Sequence, residues 1–453
     1  MKMKIRIITI KSYIWSIAIL LLMLSWPIQV IMSSPLPSLF PYVGFIIIIL
    51  ITAFYGNKNT NTYNNSRKTN IMISVYIILV TFHSIWQYVL NFISFNAVVS
   101  SIVIYILPII FYVYFRKYAT EKEIRTVLIA IAISGLISGV YYANDSYSML
   151  ILGKVSDFSI KMINYTILRM PEGYDPNLTR ISSNYRSHGL LENNAISAAW
   201  ISIGCFSMLA LLPQKVILKR LLVIAIFGVF LIVTLNFSSI VSFIFVIIFI
   251  EFKGYLLLKA TIAKRSLKKI AIALILFVAV GLIFLQNAGQ MVETIDKNIT
   301  TQIDNLIGRK KFGASGFTFF GGFISSFVNF PKHMLSFPPG FLIGDGFSTW
   351  GVINKGGDFG HAETLHRLGL PFYFAVVIGL FRLIKSSLNK IQISYRKTDE
   401  ETNYLLFAVC IILYLFITSI HYVTWSAKSV LPIFFISIAI FSRYLPSKHK
   451  NIQ

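Results

Sequence analysis

The chain has 453 residues, of which 56% are hydrophobic and only 13% are charged, and its mean hydropathy is +0.72. Soluble domains carry about 25% charged residues, so this composition excludes an ordinary soluble enzyme, a disordered tail and a small disulfide-rich domain. A net charge of +24 is by itself typical of nucleic-acid-binding proteins, but so hydrophobic a chain favours a membrane protein.

Apolar stretches of about 20 residues can cross the hydrocarbon core of a bilayer as helices. Twelve such stretches predict an all-α polytopic membrane protein with about 12 transmembrane helices in a single domain, 1–453. The first is too long for a cleaved signal peptide, so we expect it to be retained. In chain order the predicted spans are 13–32, 38–55, 71–92, 98–115, 126–144, 194–212, 221–235, 238–252, 270–286, 368–384, 404–420 and 429–445.

The basic residues predict the orientation, because Lys and Arg prefer cytoplasmic loops. With both termini in the cytoplasm, 28 of the 41 Lys and Arg residues and six of the 17 acidic residues lie on that side, a net charge of +22. The outer side then carries only +2. Two long segments, about 145–193 and 287–367, lie outside in this topology, and segments of that length are usually functional or disordered.

The first outer loop ends with two arginines, Arg180 and Arg186, just before a predicted helix whose N-cap is Asn193 or Asn194. The free N–H groups of a helix N-terminus and two nearby cations suit a phosphate or diphosphate at the membrane surface. An equally weighted alternative is that both arginines extend toward lipid headgroups or pair with Glu192.

The second outer loop contains the basic residue Arg309, then Gly344 and Gly346, which permit a tight turn or the close approach of a ligand. It ends in a polar run with Asp358, His361, Glu363 and His366. The two histidines are five residues apart rather than the four of an HExxH site, so no metal site is predicted. Asp358 and Glu363 are candidates for general acid–base catalysis, and their spacing in the sequence does not favour one over the other.

Three short elements resemble the O-antigen ligase and polymerase superfamily. The run from Arg186 through Gly189 to Asn193 and Asn194 is similar to that superfamily's R-x-x-G-x-x-x-(N/P)-N-x-x-A element. Gly344-Asp-Gly346 is similar to its G-x-G element, and Asp358-x-Gly360 followed by Leu368-Gly369-Leu370 resembles the D-x-G…G-(L/I) ending of the polymerase branch. The ligase branch has a histidine where Asp358 stands, so the resemblance favours the polymerase branch.

The resemblance implies a glycosyltransferase of the bacterial inner membrane that polymerises polyprenyl-diphosphate-linked oligosaccharide repeat units into a surface polysaccharide (O-antigen, capsule or exopolysaccharide). The expected partners are that lipid-linked substrate, membrane lipids and a chain-length regulator, with no cofactor, metal or nucleic acid. Arg186, Arg180 and Arg309 are then expected to bind the departing diphosphate, and Asp358, Glu363 or His361 to act as general base. Gly189, Gly344 and Gly346 are expected to border the substrate.

The sequence is also consistent with two other functions. One is an O-antigen ligase that transfers glycan to a lipid A core, and the other is a flippase or transporter for lipid-linked oligosaccharides. A flippase should carry charged residues within its spans. The predicted span interiors contain almost none, which favours an enzyme.

The topology can be tested with reporter fusions. Fusions after Gly173 and Gly322 should be active only with a reporter that requires the outer side, because both positions lie in the predicted outer loops. A fusion after Lys68, in a predicted cytoplasmic loop, should show the opposite behaviour. A cytoplasmic signal from either of the first two fusions would contradict the twelve-span topology.

Overall fold

A computed structural model describes the chain over residues 2–33, 40–55, 67–89, 93–150, 158–159, 161, 189–191, 193–212, 216–234, 236–257, 327–328, 330–331, 339–344, 346, 359–394, 400–422 and 424–445. Within these ranges every regular element is a helix, which confirms the predicted all-α class. We number the helices α1 Lys2–Met32, α2 Phe40–Tyr55, α3 Arg67–Val89, α4 Phe95–Ile106, α5 Ile109–Lys117, α6 Glu121–Leu150, α7 Asn194–Leu211, α8 Ile217–Val233, α9 Phe237–Leu257, α10 Gly340–Ile343, α11 Gly360–Leu368, α12 Leu370–Ser394, α13 Glu400–Thr418 and α14 Leu431–Tyr444.

Six helical segments in the described part of the chain are long and apolar enough to cross a membrane. Eleven of the twelve predicted spans coincide with helices, and the remaining one, 270–286, lies outside the described residues. The chain is therefore a multi-pass membrane protein, while the span count and the cytoplasmic termini stay predictions. The six segments are Ile10–Met32, Phe95–Lys117, Glu121–Ser148, Asn194–Leu211, Leu370–Ile391 and Glu400–Thr418.

The predicted span 98–115 is divided into two helices. α4 ends at Ile106 and α5 begins at Ile109, with Pro108 at the N-cap of α5. Proline has no backbone N–H and cannot continue the hydrogen-bond ladder of the preceding helix, so the helix is interrupted there. A similar interruption separates α11 from α12, where Gly369 adopts a φ of 74°.

The described helices belong to two compact units. The first comprises residues 1–45 and 125–319 and contains α1, most of α6 and α7 to α9. In this unit α6 crosses α7 at two glycines, and a Cβ on Gly135 would lie only 2.6 Å from the Cα of Gly204. One turn later Gly139 lies against the ring of Phe230 in α8. Small residues thus bring these helices into close contact, as is common in membrane bundles.

The second unit comprises residues 46–124 and 320–453 and contains α3 to α5 and α10 to α14. Its α14 packs against α5 and α13, and α12 packs against α13. Arg443, at the end of α14, donates to the carbonyls of Phe115 and Ala119 and forms a 3.2 Å ion pair with Glu121. This arginine therefore ties the last helix to the α5–α6 turn.

Candidate functional site

The segment leading into α7 is shaped by Asn193 and Gly189. The Asn193 side chain accepts a 2.9 Å hydrogen bond from the backbone N–H of Ile196, so Asn193 rather than Asn194 is the N-cap. Gly189 has a φ of 67°, and a Cβ there would lie 2.7 Å from both Ser197 Oγ and Tyr142 Cδ2. This position therefore requires glycine both for its backbone conformation and for the space that α6 and α7 leave.

In the second unit, the backbones of two distant glycines touch at the end of α11. A Cβ on Gly344 would lie 2.3 Å from the carbonyl oxygen of Arg367, and a Cβ on Gly369 would lie 2.7 Å from the nitrogen of Gly344. Their φ values are 75° and 74°. The N–H of Gly346 donates to the same Arg367 carbonyl at 3.2 Å. Gly344 and Gly346 of the predicted site therefore contact the C-terminus of α11 directly.

The N-terminus of α11 is held by the turn between α13 and α14. The backbone N–H of His361 donates to the carbonyl of Ser419 at 2.7 Å, and Gly360 leaves room for the carbonyl of Tyr422. The indole N–H of Trp425 donates to Thr364 Oγ1 at 3.1 Å. Both ends of this short helix are therefore fixed to other parts of the second unit.

A buried ion pair lies on α11. Arg367 Nε donates to Glu363 Oε1 at 2.8 Å, and the two side chains are only 3% and 9% exposed. Arg367 Nη1 also donates to the hydroxyls of Tyr105, at 3.4 Å, and Ser426, at 3.3 Å. Burial alone would lower the pKa of the Arg367 guanidinium, but its interactions with Tyr105 and Glu363 outweigh burial and raise that pKa.

His361 is held as a neutral imidazole. Its Nε2 lies 2.9 Å from the carbonyl oxygen of Phe416, which can only accept, so Nε2 carries the proton. Nδ1 then accepts from the hydroxyl of Tyr373 at 3.3 Å. Burial lowers the pKa of His361, although the bond to the Phe416 carbonyl partly opposes this.

The structure brings four of the predicted site residues together around α11: Gly344, Gly346, His361 and Glu363. Gly189 belongs to the other unit. The sequence-based reasoning missed Arg367, Tyr105, Ser426 and Trp425. Only the four-residue spacing of Glu363 and Arg367 on one helix face could have indicated the ion pair. The other predicted site residues lie outside the described residues: Arg180, Arg186, Arg309 and Asp358.

Among the described residues, no group of three or more His, Cys, Asp and Glu side chains is arranged to hold a metal ion. His366 packs its ring edge-on against Phe330, with centroids 5.1 Å apart. No protein-family model matches this chain, and no curated protein matches it.

Replacing Arg367 by Met should destabilise the second unit by about 3–5 kcal/mol, because it leaves the Glu363 carboxylate buried without its partner charge. The double variant Glu363→Leu, Arg367→Met should regain most of that loss, since neither charge is then buried. Unfolding in detergent micelles measures both, and Arg382→Met, at an exposed position on α12, is the control. Equal losses in the single and double variants would contradict this account.

Acidification should weaken the fold through His361. Its folded pKa lies below the ordinary value of 6.5, so the unfolded chain binds a proton more readily than the folded chain does. The stabilisation is complete above pH 6.5 and is lost as the pH falls below it. His361→Gln keeps an N–H donor but cannot titrate, so its unfolding temperature should fall less than that of the wild type between pH 7.5 and 5.5. Parallel curves for the two proteins would refute the prediction.

Proposed function

We propose that the protein is a membrane glycosyltransferase that polymerises polyprenyl-diphosphate-linked oligosaccharide repeat units into a surface polysaccharide. One observation carries the proposal: two separate elements of the superfamily resemblance form a single structural unit. The Gly344–Gly346 turn lies backbone to backbone against the end of the segment from Gly360 to Gly369. The two sequence elements that carry the resemblance are therefore in contact in this chain.

The first element also supports the proposal. Gly189 adopts a positive φ four residues before Asn193, which caps α7, and Arg186 precedes Gly189 by three residues in the sequence. Arg186 is therefore close in sequence to the positive end of a helix. A diphosphate leaving group gains negative charge as its bond to the sugar breaks. Fixed cations and helix N–H groups stabilise that charge without a metal ion.

The transfer also needs a general base. The acceptor hydroxyl attacks the anomeric carbon of the donor sugar, its proton passes to the base, and the lipid diphosphate departs with the electron pair of the broken bond. Two of the three predicted bases already have structural partners: Glu363 is paired with Arg367, and His361 Nδ1 faces the hydroxyl of Tyr373. We therefore assign the base to Asp358.

Arg186→Ala should abolish long surface glycan chains while single repeats still reach the surface, because it removes a diphosphate ligand needed in the transition state. We expect polymerisation to fall about a hundredfold, the usual effect of removing one stabilising donor. The measurement is the glycan ladder on a gel, in a strain that lacks the chromosomal gene and carries the variant.

Arg169→Ala, a change of the same type in the same outer loop, is the matched control and should leave the ladder unchanged. Loss of all surface glycan with Arg186→Ala would instead indicate a ligase or a flippase. An unchanged ladder would remove Arg186 from the site.

A further inference from the structure

The turn between α8 and α9 contains two buried polar groups that have no hydrogen-bond partner in the part of the chain that the structure describes. Asn236 caps α9: its Oδ1 accepts from the backbone N–H of Ser239 and from the hydroxyl of Ser238, both at 3.0 Å. These bonds fix the orientation of the amide and leave Nδ2 as a pure donor. Asn236 is 1% exposed and Ser239 is not exposed at all, yet among the described residues neither Asn236 Nδ2 nor Ser239 Oγ has a hydrogen-bond partner.

Most buried polar side-chain atoms in proteins have a partner. Other buried atoms among the described residues also lack one, but Asn236 Nδ2 and Ser239 Oγ are two potential donors within four residues at the start of a helix. Both lie at the N-terminus of a 21-residue helix, where first-turn N–H groups lack intrahelical acceptors and the helix dipole is positive. The surroundings thus supply donors and positive potential. They favour an oxyanion and disfavour a metal cation.

This turn lies at the same end of the first unit as the segment that follows Arg186. The Tyr142 hydroxyl donates to the carbonyl of Thr234 at 3.3 Å, and Gly189 lies against the ring of that same tyrosine. Thr234 Oγ1 in turn accepts from the backbone N–H of Asn236 at 3.3 Å. A continuous set of contacts therefore connects Gly189 with the start of α9.

We propose that Asn236 Nδ2, Ser239 Oγ and the N-terminus of α9 form a binding site for a phosphate group. A phosphate presents several acceptor oxygens and can satisfy all these donors at once. Its carrier is either the diphosphate of the lipid-linked substrate or a phospholipid headgroup. The inference rests on the proposed function only for the first of these carriers.

The decisive variant is Asn236→Asp. Aspartate keeps the oxygen that caps the helix, but a carboxylate oxygen replaces the Nδ2 donor and repels an anion. Because position 236 is buried, the new charge should also lower the unfolding temperature of the unliganded protein, so the readout for this variant is the rise in unfolding temperature that the ligand causes. Ser239→Ala removes the second donor without adding charge. Asn144→Asp adds the same charge at an exposed position of α6, and Ser207→Ala removes a buried hydroxyl that is bonded within α7.

The assay is the unfolding temperature of the detergent-purified full chain, titrated with geranylgeranyl diphosphate, geranylgeraniol or phosphatidylglycerol. The diphosphate should raise the wild-type unfolding temperature. Asn236→Asp should need at least about tenfold more ligand for half of that rise, and Ser239→Ala several-fold more. The two control variants should behave like the wild type.

Stabilisation by phosphatidylglycerol that Asn236→Asp also weakens would identify a phospholipid headgroup as the carrier. Stabilisation by the diphosphate alone would identify the lipid-linked substrate. An equal effect of geranylgeraniol, no stabilisation of the wild type by either phosphate compound, or the same titration curve for wild type, Asn236→Asp and Ser239→Ala would overturn the site. Because binding is measured without glycan synthesis, a failure here is distinguishable from a failure of the polymerase proposal.

Discussion

The backbone of Gly344 lies so close to the last turn of α11 that no side chain fits between them. A Cβ on this glycine would lie within 2.5 Å of the Arg367 carbonyl and of the Gly369 nitrogen. This contact and the hydrogen bond from Gly346 fix the C-terminus of α11, while the Ser419 carbonyl fixes its N-terminus. The orientation of Glu363, Arg367 and His361 depends on these backbone contacts, because all three side chains project from this one helix.

In apolar surroundings, a polar group has to be satisfied by the chain itself. Arg367 meets this condition through Glu363, Tyr105 and Ser426, and Arg443 through Glu121 and two carbonyls. Some serines within helices use the carbonyl four residues earlier, as Ser202 and Ser207 do. Other buried polar atoms among the described residues have no such partner, and the donors of Asn236 and Ser239 are two of these. They lie at a helix terminus, where binding of an external acceptor is physically favoured.

Hydropathy was enough to place eleven of the twelve predicted spans on helices, because long apolar runs have few alternatives to helix in a membrane. It did not predict the short helices α10 and α11, which lie almost wholly within the predicted outer loop 287–367. The N-cap at Asn193 and the interruption at Pro108 are local features that residue type encodes. The contact between Gly344 and Gly369, and the bond from Arg367 to Tyr105, 262 residues away, depend on tertiary packing that no local pattern contains. The sequence shows only that both positions hold glycine, a residue type that tolerates a positive φ, and does not show that either residue adopts one.

The net charge of +24 is distributed very unequally between the two sides of the predicted topology. In that topology the excess lies almost wholly in cytoplasmic segments, where Lys and Arg set orientation and face anionic lipid. With a net charge of only +2, the predicted outer side has little bulk potential with which to attract an anion. Under the proposed function, binding of the diphosphate there therefore has to come from a few placed groups. Because Arg367 is paired with Glu363, the proposal assigns anion binding to the arginines of the predicted outer loops and to the N-terminus of α9.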